Sequence, residues 1–198
     1  MAVIGITGGI ATGKSAFCAA LGEVSGGTFF DADRAAHELS QNDEEVRGLI
    51  VSEFGPEAYK TNGDLNRALI RSIVFADAGK KRALEQILHP RIRRQWNSEA
   101  DRRRHSAELF FADIPLLYET QGEILCDRVV VVACSAEVQR ERLMKRMGIE
   151  RGNAEAMIAA QMPLEEKIRR ADHVVWNNGP RAVLSAQAAR LVKLWEGN

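Results

Sequence analysis

Apolar positions along the chain follow two rhythms: short β-rich runs, and longer stretches in which apolar residues recur at helical spacing. Val3 to Thr7 is a short β-rich run that ends in glycines. Lys14 to Val24 has helical spacing, with Phe17, Leu21 and Val24 on one face. Gly26-Gly27 interrupts the pattern, and Thr28-Phe29-Phe30 predicts a second strand ending at Asp31. Strand, helix, strand in that order predicts a parallel βαβ unit.

A helical stretch follows. Asp43 is placed to cap a helix carrying Val46, Leu49, Ile50 and Phe54, and Asp64 one carrying Leu65, Leu69, Ile73 and Val74. Lys80 to Leu88 predicts another helix, stopped at His89-Pro90 because proline disfavours helical geometry in the residue before it. Pro90 then opens a further helix with Ile92 and Trp96 inward. Helices without an intervening strand predict an insertion between two strands of a sheet. The α/β rhythm returns at Leu109 to Ala112, an apolar run closed by Asp113. Val129 to Ala133 is a continuous β-branched run, suited to a parallel strand covered on both faces. Helices are predicted over Ala136 to Arg146 and, as one or two pieces, over Asn153 to Arg170. His173 to Trp176 is a last short strand, and Pro180 opens a terminal helix with Val183, Leu184, Leu191 and Val192 inward.

Length and composition narrow the class. At 198 residues the chain suits one domain with insertions. Lys+Arg and Asp+Glu balance at 27 each, so net charge points to neither a nucleic-acid nor a membrane partner. The cysteines, Cys18, Cys126 and Cys134, are odd in number and lack C-x-x-C spacing; disulfides and structural zinc are not expected. The longest strictly apolar run, Val129 to Cys134, is far too short to span a bilayer. With no secretory leader pattern at the amino terminus, the expected location is the cytoplasm.

Gly8-Gly9-Ile10-Ala11-Thr12-Gly13-Lys14-Ser15 matches G-x-x-x-x-G-K-[ST]. Glycines let the backbone wrap a phosphate with its N–H groups inward, and the positive end of the following helix adds to the anion site. Lys14 would reach the β- and γ-phosphates of ATP, and the Ser15 hydroxyl would bind Mg²⁺. The match follows a predicted strand and opens a predicted helix, which is the context the motif requires. The alternative is a glycine turn with a surface lysine. The expectation is a P-loop kinase that transfers the γ-phosphate of ATP to a small molecule.

Carboxylates at strand ends are the next candidates, because doubly wound sheets bind ligands beyond the carboxyl ends of their strands. Asp31, Asp33 and Asp113 occupy such positions. Asp33 could accept the proton of an incoming hydroxyl and touch the metal shell, and Asp113 resembles a Walker B aspartate that holds Mg²⁺. The competing reading is that Asp31 or Asp33 caps the helix beginning near Arg34. Arg140, Arg142, Lys145 and Arg146 could neutralise charge during phosphoryl transfer, or form a solvated face with Glu137 and Glu141. A second basic cluster, Arg91, Arg93, Arg94 and Arg102-Arg103-Arg104, has no aromatic interleaving and is weak ground for nucleic-acid binding. His89, taken alone, reads as a structural hydrogen-bonding residue.

Taken together these residues resemble the dephospho-CoA kinase family over nearly the whole chain. The resemblance rests on Thr7 to Ile10 running into Gly13-Lys14-Ser15, Asp31-Ala32-Asp33, Phe54-Gly55, Gly63 to Arg67, and Leu88 to Ile92. It continues through Asp113-Ile114-Pro115-Leu116-Leu117-Tyr118-Glu119, Cys126 to Val129, Gln161, and Ala171 to Val175 with Asn177 and Gly179. It implies an α/β fold with a P-loop NTPase-type parallel sheet flanked by helices. One P-loop kinase domain would span 1–198, with a helical acceptor-binding insertion at about 34–106 and a small helical lid at about 136–170. It implies transfer of the ATP γ-phosphate to the ribose 3′-hydroxyl of dephospho-CoA, the last step of coenzyme A synthesis, with Mg²⁺ as cofactor. Nucleic acid and membrane would not be partners, and the chain would be a monomer or small homo-oligomer.

By position, the resemblance makes Asp33 the base for the acceptor hydroxyl, beside Lys14 and Arg142. It places Asp31, His89 and Pro115-Leu116-Leu117 at the acceptor. ATP would be held by Gly8, Gly9, Ala11, Thr12, Gly13, Lys14, Ser15 and Ala16, with Arg146 from the lid and Asn177 near adenine. Ser15 and Asp113 would hold the metal. Ala11 stands where glycine is common, Ala16 where threonine is, Ala133-Cys134 where an acidic residue often ends the strand, and Lys167 where arginine is common. Three other readings remain open: a nucleoside-monophosphate kinase, a P-loop regulatory module without turnover, and a nucleic-acid binder using the Arg91–Arg104 patch.

Overall fold

Val3–Gly8, six consecutive buried residues, forms β1 at the middle of a five-stranded sheet. The other strands are β2 (Thr28–Asp31), β3 (Phe110–Asp113), β4 (Arg128–Ala133) and β5 (His173–Trp176), in the spatial order β2-β3-β1-β4-β5. β1 pairs in parallel with β3 on one side and β4 on the other, and β4 with β5. Burial on both faces is why β1 and β4 read as unbroken apolar runs rather than alternating ones. The computed structural model describes residues 2–104 and 108–197, without the side chain of Arg104. The expected end of the insertion, near residue 106, lies outside the described residues.

Two helices seal one core against the sheet. α1 (Lys14–Ser25) buries Phe17, Ala20 and Leu21, and the terminal helix Arg181–Glu196 buries Leu184, Ala188, Val192 and Trp195. These join Ile4, Ile6, Val130 and Val132, with Phe111 stacked between Phe29 at 4.8 Å and Trp195 at 6.0 Å. Val24, Leu49 and Val183, expected inward, are exposed. Helical periodicity gives a side chain's direction, not whether a neighbour stands there.

The chain divides into two compact units, one of Met1–Phe30 with Glu99–Asn198 and the other Asp31–Ser98. The second unit holds α2 (Ala32–Asn42), α3 (Glu44–Phe54), a 3-10 turn at Pro56–Ala58 and α4 (Arg67–Ala76). It also holds most of α5, Ala78–Arg104. Its own core is Leu39, Val46, Ile50, Phe54, Ala58 and Ile70, with Leu84, Ile87, Leu88 and Ile92 packed against them. Asp43 caps α3 as expected, accepting from the Val46 N–H at 3.0 Å. Asp64 is not the cap of α4; Asn66 is, accepting from the Leu69 N–H at 3.3 Å. The chain turns back at 61–63 so that Leu65 bridges Tyr59, and the Asp64 carbonyl accepts from the Lys60 N–H at 2.8 Å, so the helix starts later.

The expected break at Pro90 is also absent: α5 runs through it. A mid-helix proline forfeits a hydrogen bond and costs about 3 kcal/mol. Ile87 and Leu88 before it and Ile92 after it pack on the same core, and each such burial contributes about 1.5–3 kcal/mol if complete. Arg91 steadies the turn by donating to the Ile87 carbonyl at 2.9 Å and to Glu45 at 2.6 Å. In the first unit, α6 (Ala136–Met147), α7 (Arg151–Ala159) and α8 (Leu164–Arg170) follow β4, and the terminal helix is α9. Among the described residues no helix is long and apolar enough to cross a membrane.

Candidate active site

The loop after β1 is built from both ends. β1 delivers Gly8 beside Val132 of β4, where an added Cβ would stand 2.5 Å from the Val132 carbonyl oxygen. Ala11 (φ 60) and Gly13 (φ 95) take left-handed backbone, which turns the chain into α1. A Cβ at Gly13 would also lie 2.0 Å from Asn177 Nδ2, so this position requires glycine twice over. No side chain caps the amino terminus of α1, which leaves its first-turn N–H groups available to an anion.

The loop's carbonyls are engaged by side chains. Lys167 Nζ donates to the Gly8 carbonyl at 3.3 Å, and Gln139 Nε2 to that of Ile10 at 2.8 Å. The Thr12 carbonyl receives Asn177 Nδ2 at 2.9 Å and Arg142 at 3.4 Å. The Ile10 N–H donates to Gln161 Oε1 at 2.9 Å. With carbonyls 8, 10 and 12 held in this way, the loop is fixed in a shape that suits phosphate before any nucleotide arrives.

Lys14 pairs with the Asp113 carboxylate, and both side chains are largely shielded. The sheet register explains the meeting: Asp113 ends β3 opposite Ile6 of β1. Ser15 and Ala16 are exposed on the first turn of α1. Arg142 on α6 lies against the Cys134 thiol, whose pKa burial pushes up and the guanidinium pulls back. Arg146 is exposed in the last turn of α6, and Arg140 pairs with Glu155 at 3.1 Å. Asn177, expected near adenine, is buried against the loop at Thr12.

Pro115, Leu116 and Leu117 follow β3, with Leu117 fully buried and the other two half-buried. The Pro115 carbonyl accepts from Thr7 Oγ1 at 2.9 Å. Tyr118, next in the chain, is buried, and burial pushes its pKa up to about 12.

In the second unit, Asp31 caps α2, accepting from the Arg34 N–H at 2.9 Å. Asp33 is exposed in the first turn of the same helix, so the capping alternative applies to Asp31 rather than to Asp33. His89 is half-buried on α5. In the basic cluster, Arg91 pairs with Glu45, Arg102 with Glu99, and Arg103 with Glu99 and Glu108. The Arg104 side chain lies outside the described residues.

Gln139 carried no expectation from the sequence, and Lys167 stood there only as a departure from a family pattern. The readable signal for Lys167 was a lysine on the α8 stripe shared with Leu164 and Ile168; it is completely buried. Ala11 yields a direct test. A left-handed alanine is strained by about 1 kcal/mol relative to glycine. Ala11→Gly is therefore expected to raise the melting temperature by a few degrees. A melting scan showing a lower value would mean that flexibility gained in the unfolded chain outweighs the relieved strain.

Comparison with known proteins places this geometry in a family. The family model for dephospho-CoA kinase matches residues 2–182. The chain is 45% identical over 193 residues to a dephospho-CoA kinase of Anaeromyxobacter dehalogenans, covering 97% of this chain and 91% of that one. Among solved structures it resembles TT1252 from Thermus thermophilus, with a TM-score of 0.77 and 36% identity, covering 98% and 97% of the two chains. The dephospho-CoA kinase from Campylobacter jejuni gives a TM-score of 0.75 at 26% identity, with the same coverage of 98% and 97%. The chain belongs to the dephospho-CoA kinase family.

Proposed function

We propose that the chain phosphorylates the ribose 3′-hydroxyl of dephospho-CoA with ATP, giving coenzyme A and ADP. Membership of the family supports the acceptor. The observation that supports the reaction class is the loop itself: carbonyls held by side chains, an uncapped helix start, and Lys14 at its entrance. In this reading Gly8, Gly9, Ala11, Thr12, Gly13, Ser15 and Ala16 supply the backbone cradle for the phosphates. Lys14 follows the β- and γ-phosphates, and Arg142 and Arg146 neutralise the charge that spreads over the γ-phosphoryl oxygens. Asn177 holds the Thr12 peptide and serves the adenine side of the site.

Asp33 accepts the proton of the 3′-hydroxyl, while Asp31, His89 and Pro115-Leu116-Leu117 serve the acceptor. The Asp31–Ser98 unit is the acceptor-binding insertion, and the lid lies within about 136–170. Two oxygen donors, the Ser15 hydroxyl and the Asp113 carboxylate, suit Mg²⁺, which takes one or two protein oxygens and completes its shell with phosphate and water. Mg²⁺ bound there would neutralise β- and γ-phosphate charge. The reading includes a cytoplasmic location, where ATP is supplied, and a monomer or small homo-oligomer.

Acceptor-dependent ADP release tests the proposal. ADP is expected to appear only when ATP, Mg²⁺ and dephospho-CoA are all present, and to stop on addition of a chelator. ATP consumption indifferent to dephospho-CoA, or stimulated instead by a nucleoside monophosphate, would overturn it.

A further inference from the structure

Lys167 is a charged side chain with no exposed surface, and the chemistry above gives it no part. Such a group persists only when every donor is used. An ammonium has three N–H donors, and three oxygens surround this one: Glu119 Oε1 at 2.8 Å, the Pro115 carbonyl at 3.2 Å and the Gly8 carbonyl at 3.3 Å. Gly8 begins the phosphate loop, and Pro115 begins the segment proposed to serve the acceptor. Glu119 is held in turn by the Met162 N–H at 3.1 Å, just before α8. Thr7 Oγ1 adds a second donor to the same Pro115 carbonyl, so the two segments are joined twice.

We infer that Lys167 is a positioning residue for phosphoryl transfer: it sets the Gly8 end of the phosphate loop against the Pro115–Leu117 segment, with Glu119 holding its charge in place. The inference rests on the kinase reading. Its consequence is specific. In-line transfer depends on the relative placement of donor and acceptor, and a displacement of about 1 Å can cost on the order of a hundred-fold in rate. Binding of either substrate alone depends on one segment at a time and is less sensitive.

Lys167→Met removes the donors and keeps the bulk. Its kcat for dephospho-CoA is expected to fall on the order of a hundred-fold, while ATP affinity, measured by calorimetry with a non-hydrolysable analogue, weakens only a few-fold. Its melting temperature should fall as well, because Glu119 is left without its partner. The double variant Lys167→Met/Glu119→Gln separates the two effects. It should recover most of the melting temperature but not kcat, since the Gly8 carbonyl still lacks its Lys167 donor and Pro115 keeps only the one from Thr7 Oγ1. Lys167→Arg, which keeps a charged multiple donor, should regain much of the lost kcat. Normal kcat in folded Lys167→Met, or recovery of kcat together with stability in the double variant, would reduce Lys167 to a structural ion pair. If the single variant does not fold, the double variant carries the test alone. Wild-type turnover in the same assay, with and without dephospho-CoA, tells failure of this inference from failure of the kinase reading.

Discussion

Lys14→Ala is expected to lower turnover on the order of a thousand-fold. Removing one fixed donor from the place where transition-state charge develops costs about 10²–10³. Lys14 is such a donor in the proposed reading, and it is also the partner of Asp113. Alanine therefore has two effects: it removes positive charge from the phosphates, and it leaves a largely shielded carboxylate facing them. Single-turnover kinetics with saturating ATP and dephospho-CoA measure the rate, and circular dichroism establishes that the variant is folded. Lys14→Ala/Asp113→Asn, which also removes the carboxylate proposed to hold Mg²⁺, is expected to be at least as slow as the single variant. Near-normal turnover in folded Lys14→Ala would end the P-loop assignment.

Much of this architecture could be read from the chain, and the reasons are local. Val129 to Val132 is unbroken and β-branched, the pattern of a strand buried on both faces. The loop motif sits between a strand and a helix, as its sequence context predicts. Other features depended on long-range neighbours. The run of α5 through Pro90 reflects a core that takes apolar residues from both sides of the proline, a tertiary effect that outweighs a local rule. The holding of carbonyls 8, 10 and 12 is equally hidden. Lys167 and Gly8 are 159 positions apart, Gln139 and Ile10 129, and Asn177 and Thr12 165. No spacing rule connects residues so distant. Asn177 shows how a family resemblance can single out a residue while leaving open what it touches.

Asp33→Asn is expected to cut turnover by about two to four orders of magnitude, the range for loss of a general base. A ribose hydroxyl is a poor nucleophile near neutral pH, and a carboxylate within hydrogen-bond reach can orient it and take its proton as the bond to phosphorus forms. In a loose transition state the orienting part weighs more than the proton transfer. Asparagine keeps the size and can still hydrogen-bond, but it removes charge and basicity. ATP affinity should change little, because the phosphate loop and Lys14 carry it. The arrangement of α2 sharpens the comparison. Asp31 already caps the helix through the Arg34 N–H, so the helix does not need Asp33 for that purpose. Asparagine caps nearly as well as aspartate, so Asp31→Asn should leave the melting temperature close to wild type; Asp31→Ala should lose about 0.5–2 kcal/mol of stability. Measured side by side in single-turnover experiments, Asp33→Asn should be slow and stable, and Asp31→Asn far less impaired. The reverse pattern, a crippled Asp31→Asn beside an active Asp33→Asn, would move the acceptor chemistry to the carboxylate at the end of β2.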